Sequence, residues 1–169
     1  MALDLTRVVP IYQENIDALI NQLGKTITLY FEPTKTDCPN CIFDSTTGRS
    51  SGRYKEGGPI PFTNGMTCPY CKGVGFISSN STEDIKGLIK WNPKEFNRYS
   101  VNININTNTC RVKTFLSNVA DINKAIYAVI QSDTSSILEQ KVYLVRQPIP
   151  TGLQEDRYAL TYWSTDKDG

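Results

Sequence analysis

The chain has 169 residues, an ordinary share of apolar side chains and a net charge of +1. This length predicts one domain with an insertion, and the small net charge provides no overall field that would attract nucleic acid or an anionic membrane. Histidine is absent, which removes the commonest general base and the commonest catalytic metal ligand.

Several functional classes find no support in the sequence. No apolar run is long enough to span a bilayer and no signal peptide is recognisable, so we expect no membrane partner. Phosphate-binding loop, dinucleotide fingerprint and serine-elbow motifs are also missing. We therefore expect neither an enzyme nor a small-molecule substrate, and we assign no catalytic residues.

The first predicted element is a helix over residues 10–23. Pro10 suits its first turn and Gly24 its C-terminal cap. Five apolar residues recur at helical spacing and form one stripe: Tyr12, Ile16, Leu19, Ile20 and Leu23. We expect this stripe to pack on a sheet, with docking on a partner as the alternative.

Short strand patterns make up most of the remaining chain. They occupy residues 26–32, 84–91, 100–106, 109–115, 125–130, 138–146 and 157–163. A turn or single helical turn is predicted between Phe115 and Ala125, and a proline-rich loop over residues 147–152. Close strand spacing without alternating helices predicts a mainly β fold, a small antiparallel barrel or sandwich with an N-terminal helix.

Two copies of Cys-Pro-x-Cys interrupt the first predicted hairpin. Each copy is a tight turn that places two thiols side by side. Two such turns facing each other present four sulfurs at the corners of a tetrahedron, the arrangement that Zn²⁺ takes in closed structural sites. We therefore predict one structural zinc ion per chain, with the ligands Cys38, Cys41, Cys68 and Cys71.

Other states of these cysteines stay open at this point. Iron is an alternative occupant of a four-sulfur cage, and two disulfides or four free thiols are alternatives to a metal. Adjacent C-x-x-C disulfides are strained and usually catalytic, and a redox pair needs no second copy. The fifth cysteine, Cys110, lies in a strand pattern and is predicted to be a small buried apolar residue.

The segment between the two motifs is rich in glycine and serine. Its large apolar side chains are nearly limited to Ile42, Phe43, Ile60 and Phe62. Such a composition cannot offset its own ordering entropy, whereas metal binding supplies about 10 kcal/mol or more. The predicted organisation is a helical segment at 1–24, a β-barrel domain at 25–37 and 77–169, and an inserted, zinc-ribbon-like arm at 38–76.

The second half of the chain carries a family resemblance. Its segments follow in the order Ile85–Trp91, Arg111–Thr114, Asn118–Ile126, Lys141–Pro148 and Arg157–Trp163. This order of strands and turns resembles the head-closure (stopper) and head–tail adaptor proteins of tailed bacteriophages, over roughly residues 26–33 and 84–163. The inserted four-cysteine arm is not a general feature of that family.

The resemblance implies a structural virion protein of the phage neck, made in the host cytoplasm. It would form a homo-oligomeric ring of about six or twelve subunits, join the portal or adaptor protein to the tail proteins, and help close the DNA-filled head. The arm would contact neighbouring subunits, and basic side chains in the channel would contact packaged DNA without sequence preference. Asn102, Asn104 and Asn106 would hydrogen-bond a neighbour or form a solvated face.

A zinc-ribbon nucleic-acid-binding regulatory protein is the alternative from a different class. Basic and aromatic side chains that would grip phosphates and stack a base lie in or beside the loop: Arg49, Arg53, Tyr54, Lys55 and Lys72. Asp37, Asp44 and Glu56 dilute this charge.

Gly73 and Gly75 match one repeat of the J-domain co-chaperones, but the first motif lacks these glycines. We therefore predict that Gly73 and Gly75 are turn residues.

A metal-stabilised enzyme is the third hypothesis. The carboxylates available to it are Asp37, Asp44, Glu56, Asp84 and Glu95, and no two form a spaced pair that can be placed on one face of a cleft. Tyr158, Tyr162 and Trp163 lie at strand spacing. We expect these three aromatic residues to be core or interface anchors and not a ligand site.

Overall fold

The computed structural model of the protein describes residues 7–91, 108–131 and 139–167. The predicted strand at 100–106, with its three asparagines, lies outside the described residues. The chain divides into two compact units. The barrel unit comprises residues up to Phe31 together with residues from Thr82 onward, and the cysteine unit comprises Glu32–Ser81.

The secondary structure of the described residues is dominated by short strands. The elements are α1 (Val8–Leu23), β1 (Lys25–Tyr30), β2 (Thr34–Asp37), β3 (Cys41–Asp44), β4 (Arg49–Tyr54), β5 (Phe76–Ser79), β6 (Thr82–Trp91), β7 (Thr109–Phe115), α2 (Val119–Lys124), β8 (Tyr127–Ile130), β9 (Gln140–Leu144), β10 (Ile149–Thr151) and β11 (Tyr158–Ser164). A 3₁₀ turn at Leu116–Asn118 leads into α2, where the sequence predicts a turn or single helical turn.

Six strands of the barrel unit form a closed antiparallel barrel. Their order is β11–β7–β6–β1–β8–β9, and β9 returns to β11 through the pairs Trp163–Leu144 and Ser164–Tyr143. The mainly β class, the antiparallel barrel and the N-terminal helix confirm the predicted fold class.

Strand β11 closes the barrel by pairing with strands on both of its edges. One edge pairs with β7 along its whole length, and the other edge pairs first with β10 and then with β9. Trp163 lies in the core, and its indole nitrogen donates a hydrogen bond of 2.7 Å to the hydroxyl of Thr161. Tyr158 and Tyr162 are also buried, so all three C-terminal aromatic residues are packed inside the barrel unit.

The barrel core follows from the alternation of apolar side chains along the strands. The buried residues that pack together are Ile27, Leu29, Ile85, Cys110, Val112, Ile122, Ala128, Ile130, Val142 and Trp163. Cys110 is fully buried among them, as predicted, and burial raises the pKa of its thiol to about 12. Gly87 lies at a close approach, because a Cβ atom there would come within 2.6 Å of the Val112 side chain.

The segment at 147–152 corrects the sequence prediction. We predicted a loop from its prolines and glycine, but Ile149–Thr151 forms β10 and pairs with β11. Pro150 lacks an N–H group and is tolerated because β10 is an edge strand. The predicted strands at 125–130 and 138–146 are shorter than expected and occupy β8 and β9.

Helix α1 is fixed to the strands β6 and β11, and to Arg157 directly before β11, by polar contacts as well as by packing. The hydroxyl of Tyr158 lies 3.1 Å from the Gln13 carbonyl and 2.8 Å from the carboxylate of Asp17. Arg157 forms an ion pair with the same carboxylate. Lys86 donates a hydrogen bond of 2.9 Å to the carbonyl of Asn21 near the end of the helix.

The predicted apolar stripe of α1 is divided between two faces. Ile20 is fully buried, and Tyr12 and Ile16 are half-buried. Leu19 and Leu23 are 40% and 69% exposed, so the expectation that the whole stripe packs on the sheet is wrong. These two leucines belong to a second row of exposed apolar residues, here called the helix row: Val8, Ile11, Leu19 and Leu23.

Asp17 should make the docking of α1 depend on pH. The hydrogen bond from Arg157, together with that from Tyr158, holds the pKa of this carboxyl below its usual value despite some burial. A carboxyl with a lowered pKa stabilises the fold above its unfolded pKa, about 3.9, and loses that contribution as pH falls through the folded pKa. We expect Asp17→Asn to lower the urea midpoint of unfolding at pH 7. Below about pH 4, the urea midpoints of the variant and the parent should become more similar.

The matched control for this test is Glu14→Gln, which removes a carboxylate from an exposed position of the same helix. We expect this control to unfold at the parent's urea concentration throughout the pH range. If Asp17→Asn lowered the urea midpoint by the same amount at neutral and at acidic pH, a stabilising role for the Asp17 charge would be contradicted.

Candidate metal centre

The four cysteines of the two motifs converge at one point of the cysteine unit. Cys38 follows β2, Cys41 begins β3, and Cys68 and Cys71 lie in the turn that precedes β5. Strands β2 and β5 pair with each other, as do β3 and β4, and the Cys38 amide donates to the Gly75 carbonyl. The pairing of β2 with β5 and the Cys38–Gly75 hydrogen bond therefore bring the first thiol pair to the second.

The distances between the sulfurs fit a shared cation. All four Sγ atoms lie within 4.8 Å of one another, and all four residues are buried. The Sγ atoms of Cys38 and Cys68 are 4.0 Å apart, and those of Cys41 and Cys71 are 3.6 Å apart. A tetrahedron with metal–sulfur bonds of about 2.3 Å has edges of about 3.8 Å, whereas a disulfide needs about 2.05 Å. The cluster is compatible with a metal site of four sulfur ligands.

Hydrogen-bond donors surround the sulfurs. The Asn40 amide nitrogen lies 3.4 Å from Cys38 Sγ, and the Gly75 amide nitrogen lies 3.2 Å from Cys71 Sγ. The Asn40 side-chain nitrogen donates to Cys68 Sγ at 3.4 Å. Donors directed at sulfur favour the thiolate over the thiol, which is the form that binds a metal.

The thiol pKa values reflect competition between burial and these donors. Burial raises the pKa of Cys38 and raises that of Cys41 to about 12. Burial opposes ionisation of Cys68 as well, but hydrogen bonds from Asn40 and from the backbone of Cys71 and Tyr70 lower its pKa to about 6. Binding a cation to protonated thiols releases protons, so the affinity of the cluster for metal falls as pH falls.

Asn40 links the cluster to the rest of the cysteine unit and was missed in the sequence. It is fully buried, its side-chain oxygen accepts a 2.7 Å hydrogen bond from the Ile60 amide, and its backbone oxygen accepts one from Lys55. Gly58 packs so closely that an added Cβ atom would lie 2.8 Å from the Asn40 side chain. Its position as the variable residue of the first Cys-Pro-x-Cys motif was the available signal.

Beyond the cysteines, the cysteine unit has little apolar core. Phe62 packs on the cluster, and Tyr54 makes an edge-on contact with the Phe62 ring at a centroid distance of 5.9 Å. Ile42, Phe43 and Ile60, the other large apolar residues noted in the sequence, are exposed. The four cysteines therefore occupy the position that a hydrophobic core occupies in a larger domain.

The predicted turn glycines of the second motif adopt the left-handed backbone conformation. The φ angles of Gly73 and Gly75 are 85° and 88°. Gly75 is also a point of close approach, because an added Cβ atom would lie 2.7 Å from the backbone of Arg49 and Ser50. The hairpin of β3 and β4 therefore packs directly on the second cysteine turn.

The structure brings together only part of the predicted basic loop. Arg49 and Lys72 line one pocket, while Arg53 and Lys55 are exposed and are not part of its lining. Tyr54 is packed on Phe62 and donates its hydroxyl hydrogen to the Gly58 carbonyl, so its ring is not displayed for stacking on a base.

Two of the carboxylates considered for catalysis, Asp44 and Asp84, have local hydrogen-bond partners. Asp44 accepts hydrogen bonds of 2.9 Å from the Thr46 amide and the Thr47 hydroxyl, which lower the pKa of its carboxyl. Asp84 accepts a hydrogen bond of 2.7 Å from Thr28 on the neighbouring strand. Glu95 lies outside the described residues.

Comparison with known proteins adds no family assignment: no family model matches the chain, and neither a curated protein nor a solved structure matches it. In the part of the chain that the structure describes, none of the helices combines the length and the apolar character needed to cross a membrane.

Because the Asn40 side chain hydrogen-bonds the Cys68 sulfur, a substitution of Asn40 tests whether the cluster binds metal. Asn40→Ala removes the donor to Cys68 and leaves the Ile60 amide without its acceptor. Outer-layer partners of metal ligands typically contribute about 10–100-fold in metal affinity. We expect a loss of this size when the protein competes for metal with a chromophoric chelator.

Asn64→Ala provides the matched control, because Asn64 is an exposed asparagine of the same unit that accepts a hydrogen bond from the Tyr54 amide. We expect this control to retain the parent's affinity for metal. Equal affinities for the parent and Asn40→Ala would show that the Asn40 contacts do not support the cluster.

Proposed function

We propose that the cluster of Cys38, Cys41, Cys68 and Cys71 binds one zinc ion in a structural role. Four thiolates complete a tetrahedral shell and leave no position for water or substrate, as in closed structural zinc sites. Iron takes the same four-sulfur cage, and zinc is the commoner occupant of such cysteine sets. The zinc ion replaces the apolar core that the cysteine unit lacks.

We further propose that the protein is a structural virion protein of the neck of a tailed bacteriophage. In this role it forms a homo-oligomeric ring of about six or twelve subunits that joins the portal or adaptor protein to the tail and helps close the DNA-filled head. The observation that carries the proposal is the order of strand and turn segments along the sequence, which resembles head-closure and adaptor proteins. A small closed barrel with a separate unit inserted between β1 and β6 is compatible with that resemblance.

Exposed apolar side chains on each unit support an assembly role. On the barrel unit these include the four residues of the helix row, beside Ile126, Ile149 and Leu153 elsewhere on the unit. On the cysteine unit they are Ile42, Phe43, Ile60, Met66, Tyr70 and Val74. A closed ring is built from heterologous interfaces, so each subunit needs two different surfaces that bind other subunits. The two apolar sets are candidates for such surfaces.

This proposal places the protein in the virion after synthesis in the host cytoplasm. Its partners are copies of itself, the portal or adaptor protein, and tail proteins, with non-specific contact to packaged DNA where basic side chains meet phosphates. It has no enzymatic activity in this role and needs no small-molecule substrate.

Metal analysis of the purified protein tests the structural zinc. We expect one zinc ion and no iron per chain by atomic emission spectrometry. Removal of the metal by a chelator should raise hydrogen exchange across residues 32–81, because metal-binding free energy is folding free energy in such units. The amides of the barrel core should stay protected, since that core is built from apolar packing.

Cys110→Ala is the control for this experiment, because Cys110 is buried in the barrel core. We expect this variant to keep one zinc ion, and a double variant Cys38→Ala, Cys68→Ala to lose it. Full zinc content in the double variant, or exchange in residues 32–81 that chelation leaves unchanged, would exclude a structural metal there.

Quantitative mass spectrometry of purified virus particles tests the neck assignment. We expect a fixed copy number of about six or twelve per particle, normalised to the major capsid protein. Virus carrying the Cys38→Ala, Cys68→Ala double variant should yield heads that package DNA but lack tails. Absence of the protein from particles, or normal infectious particles from the double variant, would rule out this function.

A further inference from the structure

A pocket in the cysteine unit is not explained by the metal centre or by the proposed ring. It has a volume of about 460 Å³ and is lined by residues 49–52, 65–67 and 72–73. Its walls come from the start of β4, from the turn that precedes the second cysteine motif, and from the two residues that follow Cys71. Pockets that hold small ligands typically measure about 300–1,000 Å³, so the volume is adequate for a ligand.

The lining of the pocket has a one-sided charge. It contains two cationic side chains, Arg49 and Lys72, and no aspartate or glutamate. Within the described residues, neither of these cations forms an ion pair. Ser50, Ser51 and Thr67 add hydroxyl groups to the same lining. Two such cations beside hydroxyl groups form an environment that favours an anion with several acceptor oxygens.

The backbone holds the walls of this pocket together. The Ser50 amide donates a 3.2 Å hydrogen bond to the Gly73 carbonyl, which ties β4 to the second cysteine turn. The Gly65 amide donates a 2.8 Å hydrogen bond to the Gly52 carbonyl, which ties the wall formed by residues 65–67 to β4. Lys72 has a φ angle of 52°, a left-handed conformation that a non-glycine residue holds when its surroundings fix it.

We propose that this pocket binds a phosphate group, either a phosphodiester of a nucleic-acid backbone or a free phosphate compound. Arg49 would contact two phosphate oxygens with its planar guanidinium, and Lys72 would act as a second, more compact positive charge. Met66 is 62% exposed on the lining and offers a polarisable apolar surface to an attached base or sugar. The proposal does not rest on the assignment to a phage neck.

A competing role for the two cations is electrostatic support of the metal centre. A divalent ion with four thiolates carries a net negative charge, and Lys72 directly follows a ligand. In that role the loss of both cations would weaken metal binding. The parent protein would not bind phosphate through these two side chains. The two roles therefore differ in what a charge-neutralising variant changes.

The test uses the full chain loaded with metal and a short, fluorescently labelled single-stranded oligonucleotide. The variant is Arg49→Gln, Lys72→Gln, and the matched control is Arg53→Gln, Lys55→Gln, which removes the same charge from the same unit outside the pocket lining. We expect at least a tenfold loss of affinity in the variant and less than about a twofold loss in the control. The slope of log affinity against log salt should fall in magnitude by about 0.7 for each phosphate of the single strand that the variant no longer neutralises.

Unlabelled pyrophosphate distinguishes the two sources of phosphate. Displacement of the oligonucleotide from the parent by pyrophosphate assigns the pocket to phosphate groups in general. Oligonucleotide binding that resists pyrophosphate but is abolished in Arg49→Gln, Lys72→Gln assigns it to a nucleic-acid backbone. Pyrophosphate binding alone, measured by calorimetry and abolished in the same variant, assigns it to a free phosphate compound.

Three results would overturn the proposal. The first is failure of the parent protein to bind either probe at low salt. The second is an equal loss of affinity in the variant and the control, since that would reflect only the charge of the unit. The third is loss of metal from Arg49→Gln, Lys72→Gln alone, measured by atomic emission, since that would assign both cations to the metal centre.

Discussion

The convergence of four cysteine sulfurs within 4.8 Å is the constraint on which the cysteine unit depends. Two antiparallel strand pairs with few apolar side chains, β2–β5 and β3–β4, meet at this point, and Phe62 is the main hydrophobic residue packed beside the sulfurs. Four thiolates at such distances repel one another unless a cation lies between them, and burial removes the water that would otherwise screen them. In the proposed metal-bound form, folding of the unit and binding of the cation are one coupled equilibrium.

The barrel unit is stabilised in a different way. Its core is apolar and continuous, and its closure depends on β11, which pairs with three other strands. Thr161 and Trp163 satisfy each other's buried polar atoms within that core, so the indole is buried without an unpaired N–H group. One chain thus combines a unit held by hydrophobic packing with a unit whose buried centre is a four-cysteine cluster compatible with a metal site. Under the proposed zinc binding, a chelator and a core substitution would act on different parts of the molecule.

Much of this architecture was accessible from the sequence because it is encoded locally. Strand alternation located β1, β6, β7 and β11 to within two residues at each end, and the paired Cys-Pro-x-Cys motifs located the cluster. Barrel closure was not accessible, because β9–β11 pairing leaves no local pattern. Proline content concealed β10, since an edge strand tolerates a missing N–H group. Leu19 and Leu23 fit a helical stripe, but helical period alone does not say how wide the contacted face is. Asn40 was missed because a single polar residue inside a turn carries no periodic signal.

The arrangement of the strands also determines the order in which the two units become complete during synthesis. The cysteine unit ends at Ser81, and its paired strands and four clustered cysteines all lie within the continuous segment Glu32–Ser81. The barrel requires β11, which follows all its other strands, to pair with β7 and β9 before its core is sealed. On the ribosome, the cysteine unit is therefore complete while five of the six barrel strands are still unmade. Closure of the barrel therefore follows release of the chain, after the strands of the cysteine unit have been available to pair.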